Sequence, residues 1–156
     1  MENHMNMEQG SYQKFGLMIG VSYIIMQAVM YLNVDQFSHV YIGLTRLYMT
    51  LLMTAPMALI MLAFMGSMYK NRRLNGLIIG ASIIAISGVL ILLRTQTFVN
   101  DEQYMKAMIP HHSSAIMVSQ AAKLKDPKLR KLAKGIIESQ EREIAEMKAI
   151  LVRMEK

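Results

Sequence analysis

Cysteine is absent from the 156-residue chain, and so is tryptophan. Without a thiol there is no disulfide framework, no zinc finger, no thiolate-held iron–sulfur cluster and no cysteine nucleophile. Charge is scarce over residues 1–93, which hold five basic groups (Lys14, Arg46, Lys70, Arg72, Arg73) and three acidic ones (Glu2, Glu8, Asp35). The remaining charge lies in residues 94–156, so the net +6 belongs mostly to the tail. Neither half has a dense basic stripe with interleaved aromatics, which excludes a nucleic-acid binder. Catalytic signatures are missing as well. No Glu stands three residues before a His, as a di-iron bundle requires. His-Glu-x-x-His, a phosphate loop and a Ser–His–Asp order are also missing. A binding protein is expected, not an enzyme.

What the chain does have is long uncharged runs. Phe15–Val34 contains 20 residues without a charge, Leu47–Tyr69 contains 23, and Leu74–Leu93 contains 20. A bilayer core needs roughly 20 apolar residues per helix, so each run is long enough to span. The first run is too long, and lacks the small-residue site, for a cleaved signal peptide. The expected organisation is a cytoplasmic segment at 1–14, a three-span membrane domain at 15–93 (about 15–34, 47–69 and 74–93), and an extracytoplasmic helical domain at 94–156. Lys70, Arg72 and Arg73 crowd the second connection, while Asp35 and Arg46 cancel in the first. The positive-inside rule then places the second connection and the N-terminus in the cytoplasm. Pro56 is expected to kink the second span, and Gly76 and Gly80 form a small-xxx-small pattern in the third.

Methionine is in excess, at 17. The second span carries Met49, Met53, Met57, Met61, Met65 and Met68, so a thioether recurs on one helix face. Met18, Met26 and Met30 add a similar series in the first span. Two readings stand: flexible filler at a helix seam, or a path for a soft ion such as Cu(I) or Ag(I). Three spans, Met-x-x-x-Met and Gly-x-x-x-Gly together resemble the eukaryotic high-affinity copper-transporter family, although the expected orientation is the reverse of that family's.

In the tail, Asn100 caps a helix with Asp101 and Glu102 in its first turn, expected to reach about Leu124 with a kink at Pro110. Asp126 caps a second helix, with Pro127 at its first position, expected to reach about Met154. Leu129, Leu132, Ile136, Gln140, Ile144, Met147, Leu151 and Met154 draw one stripe along it. A short link makes this an antiparallel hairpin, which is expected to complete a four-helix bundle by self-association. The fold class is therefore all-α: three transmembrane helices, then a soluble two-helix hairpin. Met105, Met108 and His112 share a face of the first tail helix, and His111 flanks it. Imidazole with thioether favours copper or silver over hard cations. The competing reading is two ordinary histidines beside a kink. His39 in the first loop, and the cluster His4, Met5 and Met7, are further soft-ligand candidates.

Met108-Ile109-Pro110-His111-His112, then Asp126-Pro127, Ile136-Ile137-Glu138-Ser139-Gln140 and Glu143-Ile144-x-x-Met147, resemble the bacterial "domain of unknown function 305" family. The resemblance covers about Asp101 to Met154. It implies a ferritin-like helical fold and, for some members, periplasmic copper binding through Met and His. Carried across, the ligands fall on Met108, His111, His112 and Met147, with Gln140 and Glu143 as polar supports on the facing helix. The family's usual glycine is Ser114 here, and its next methionine falls where Val118 stands, with Met117 one place early. The implied function is a membrane-anchored copper protein for storage, delivery or tolerance. Its partners would be lipid, a second copy and copper-handling proteins. A Cu(I)/Ag(I) transporter and a metal-free interaction module are the alternatives.

Overall fold

A computed structural model describes residues 2–155, with side chains from residue 11 onward. His4, Met5 and Met7 therefore lie outside the described side chains. Among the described residues there are five α-helices and no strands. They are α1 (Glu2–Val29), α2 (Leu44–Phe64), α3 (Arg72–Thr95), α4 (Asp101–Ala121) and α5 (Pro127–Met154), with a single 3-10 turn at Phe37–His39. The chain divides into two compact units that do not follow chain order. One contains α1 up to Ala28 together with Leu47–Thr97. The other contains Val29–Arg46 together with everything from Phe98.

In the first unit α1 runs antiparallel to α2. Near one end Gln27 accepts the Thr50 hydroxyl, and the Thr54 hydroxyl lies 4.0 Å from the Met26 sulfur. Near the other, Phe15 and Tyr12 pack on Tyr69, each with ring centroids 5.3 Å apart. Phe15, Ala58, Leu62 and Tyr69 form the buried cluster there. The Tyr12 hydroxyl donates to Asn75 Oδ1 at 2.7 Å and accepts the Asn71 amide at 3.1 Å. Asn71 caps α3 by accepting the Arg73 and Leu74 amides, which satisfies donors that a helix start leaves open.

Two helices, α2 and α3, are long and apolar enough to cross a membrane. Helix α1 differs from the expected first span because it ends at Val29, five residues short of Val34. The apolar part inside the helix is thus only Phe15–Val29, about 22 Å of rise, against roughly 30 Å of hydrocarbon. Helix α2 continues through Pro56, and α4 continues through Pro110, so neither proline ends its helix. Gly76 and Gly80 have no atom within 4 Å of an added Cβ among the described residues.

The methionine stripe lies on the shoulder of α2. Thr50, Thr54, Ala58 and Leu62 are buried on that helix, each one position after a methionine and hence rotated from it by about 100°; Arg46 and Ala55 are buried as well. Met49 and Met53 are exposed, while Met57, Met61 and Met65 are half-buried.

In the second unit α4 and α5 pair around Met105, Ile109, Ile116, Ile144 and Leu151. The link between them is five residues, 122–126, longer than the one or two expected. Helix α4 stops at Ala121, three residues before Leu124. The hairpin does not close its core alone. Tyr41 of the first loop packs against the same cluster, so part of the cover expected from a second copy comes from residues 29–46.

Candidate metal centre

The site grows from the middle of α4. An α-helix turns by about 100° per residue, so His111 and His112 cannot both face α5. His112 takes the inward position and is 8% exposed, and His111 is exposed. Their rings stand nearly perpendicular, with centroids 6.2 Å apart.

Both nitrogens of His112 are engaged. Nδ1 lies 2.9 Å from the Met108 carbonyl and Nε2 lies 2.7 Å from Glu143 Oε2 on α5. A carbonyl can only accept, so Nδ1 carries a proton. That leaves Nε2 as the atom presented to the carboxylate. The Ser139 hydroxyl donates to the other Glu143 oxygen at 2.7 Å. This bond first, and the His112 bond second, hold the Glu143 carboxyl below its ordinary range, with a small opposing effect of burial. The ring is thus oriented through Nδ1, with Nε2 toward the carboxylate. A metal-ligating histidine is commonly held in this way, by its second N–H on a carbonyl.

The sulfur candidates divide. Met105 is 5% exposed within the apolar cluster, and Met147 packs against that cluster from α5. Both thioethers are thus packing residues in this structure, brought to one core across the two helices. Met108 is half-buried and supplies its carbonyl to His112. Gln140 is half-buried and lines a surface groove beside Ser139. Met117 is half-buried and Val118 exposed. Among the described residues no group of three or more His, Asp or Glu is poised to hold a metal. The nitrogen donors near one another are the two imidazoles, with Glu143 beside His112.

Sequence reasoning missed the contacts between the first loop and α4. Ser113 is fully buried; its hydroxyl oxygen accepts the Asp35 amide at 2.8 Å and lies 2.9 Å from His39 Nδ1. Ser114 accepts the Asn33 amide side chain at 3.0 Å. Gln103 accepts the Leu44 amide at 3.0 Å, and a Cβ on Gly43 would stand 3.3 Å from the Ala107 nitrogen. His39 is thus buried against the turn that follows His112. Burial lowers its pKa, the Lys148 charge lowers it further, and Asp35 opposes both. The serine pair directly after the histidine pair is the one sign of this contact in the sequence.

Residues 89–151 match the family model described as Domain of unknown function (DUF305). An uncharacterised protein of Acanthamoeba polyphaga mimivirus is 42% identical over 106 residues, which is 67% of this chain and 68% of the relative. The chain belongs to the DUF305 family. The match to the DUF305 model begins at Val89 inside α3, earlier than the Asp101 start read from motifs. The viral similarity is longer than the 63 residues of 89–151, and only five residues follow Leu151. It therefore reaches back into the helices that precede the DUF305 segment. No solved structure matches the chain.

Proposed function

We propose that this DUF305 protein is a membrane-anchored copper-binding protein that holds Cu(I) outside the cytoplasm, for storage, delivery or tolerance. Ag(I) and Cu(II) are ions of related donor preference. The observation that carries the reading is His112: its Nδ1 is tied to the Met108 carbonyl, its Nε2 faces Glu143, and His111 stands next to it. His111 and His112 would supply imidazole and Met108 thioether. Bound copper would supply a soft acceptor for these donors. Ser139 orients Glu143 beside the ring, and the Met108 carbonyl holds the ring through Nδ1.

Membrane anchoring rests on α2 and α3. Only 22% and 11% of their most apolar windows is buried within the chain, leaving apolar surface for lipid. Residues 29–46 and the segment from Phe98 pack as one unit. That is consistent with a two-helix crossing, because α2 and α3 return the chain to the side it left. Lys70, Arg72 and Arg73 between them assign that turn to the cytoplasm. Helix α1 packs alongside α2 through Gln27 and Phe15. Lipid, a second copy and copper-handling proteins are the partners of this reading.

The test is a Cu(I) competition titration of the full-length protein in detergent, beside the His111→Ala/His112→Ala double variant. Stoichiometric binding that is lost in the variant is expected. Wild-type affinity in the variant would refute the site. A second reading, a metal-free interaction module, is favoured by the packing of Met105 and Met147 in the apolar core. It expects no stoichiometric copper on either protein.

A further inference from the structure

The first half of α5 carries an apolar strip that its own chain leaves open. Leu129, Leu132 and Ile136 are 45%, 59% and 37% exposed, whereas Ile144 and Leu151 further along are buried against α4. A shallow groove of about 620 Å³ runs over this face, lined by Lys128, Leu132, Gly135, Ile136 and Ser139 among others. Charge along α5 is segregated. Residues 127–136 contain Lys128, Arg130, Lys131 and Lys134 and no acid, and residues 137–146 contain Glu138, Glu141, Glu143 and Glu146 with the single base Arg142. A parallel copy would set like charge against like, and an antiparallel one sets opposite charges together.

We infer that α5 pairs antiparallel with α5 of a second copy of this chain, about a two-fold axis between Gly135 and Ile136. This deepens the self-association in the proposed function by naming its surface and register. The axis maps the groove onto itself. Ile136 falls opposite Gly135 of the partner subunit, and Leu132 opposite Ser139 of the partner subunit. Lys128 falls opposite Glu143 of the partner subunit. Gly135 has open space where a Cβ would be, so nothing in its own chain explains a glycine inside a helix, where it is unfavourable. A facing isoleucine does. The pairing is isologous, the commonest closed arrangement. It also sets the basic Lys128 of one copy across from the acidic residue that contacts His112 in the other.

The absence of cysteine makes the test clean. Lys128→Cys and Glu143→Cys chains are prepared separately in detergent, without copper, and treated with a short thiol cross-linker alone and mixed. In this register residue 128 lies about 22 Å along the helix axis from its own symmetry mate. A cross-linked dimer is expected only in the mixture. Cross-linking of Lys128→Cys alone would mean a parallel arrangement and overturn the inference. A wild-type chain that sediments as a monomer would also overturn it, giving the face to a different partner. Gly135→Leu is the second variant. It should weaken the dimer at least about tenfold without lowering helix content or the thermal midpoint, and an unchanged dimer would refute the register. Because copper is omitted, failure of this interface and failure of metal binding are read independently.

Discussion

Replacing Ser113 by alanine tests whether the first loop and the DUF305 hairpin hold together through one hydroxyl. Ser113 is fully buried. Its oxygen accepts the Asp35 amide at 2.8 Å and lies 2.9 Å from His39 Nδ1. Alanine removes that oxygen and strands two polar groups on the loop. A buried polar group without a partner costs about 1–3 kcal/mol. The loop can open far enough to admit water, so the low end applies to each group, about 2 kcal/mol together. That corresponds to roughly thirtyfold faster local hydrogen exchange at the Asp35 amide. Exchange measured on the full-length chain in detergent should show this increase across residues 35–39, with little change around Ile144. Unchanged protection at Asp35 would refute the reasoning. A uniform loss across α4 and α5 would do so as well, because it would mean that Ser113 supports the helix pair and not the loop.

The same clamp should respond to pH. Burial and Lys148 depress the folded pKa of His39 below its ordinary 6.5, so the neutral ring stabilises the fold fully above that value. The contribution is lost as pH falls through the folded pKa. Protection factors of residues 35–39, corrected for the intrinsic rate at each pH, should fall below pH 6.5, and His39→Asn should abolish that fall. Ile109→Ala, at a position with no exposed surface, should cost about 2–5 kcal/mol in denaturant unfolding. A loss under about 1 kcal/mol would mean the hairpin core is loosely packed. Gly43→Val should destabilise by about 1–3 kcal/mol, because its Cβ would press to 3.3 Å from the Ala107 nitrogen; a neutral thermal shift would refute that contact. Asn71→Ala removes the cap of α3 and should cost about 1 kcal/mol, read as a lower thermal midpoint.

Local chemistry determines a good deal of this protein from the residue order by itself. The uncharged runs specify α2 and α3 because no polar face is left for water. Asn100, Asp126 and Pro127 specify the starts of α4 and α5, since capping depends only on neighbours three residues away. The motif from Met108 to His112 and its counterpart around Glu143 are legible for the same reason. Helical spacing brings each set onto one face, and the short link brings the faces together. Tertiary structure alone decides which of two adjacent histidines turns inward. It also places Met105 and Met147 as packing in a shared core, although the sequence offers them equally as ligands. In sequence, residues 33–46 have the look of a plain connection. Their partners Ser113, Ser114 and Gln103 lie 59 to 81 residues further along the chain. No periodicity or cap signals a contact at that separation, because it exists only once α4 has formed and the loop can reach its buried hydroxyl. Helix α1 is the mirror case. Its uncharged run continues to Val34, but backbone turns after Val29 end the helix, and its place beside α2 is set by Gln27, Phe15 and Tyr12 finding partners across the helix pair.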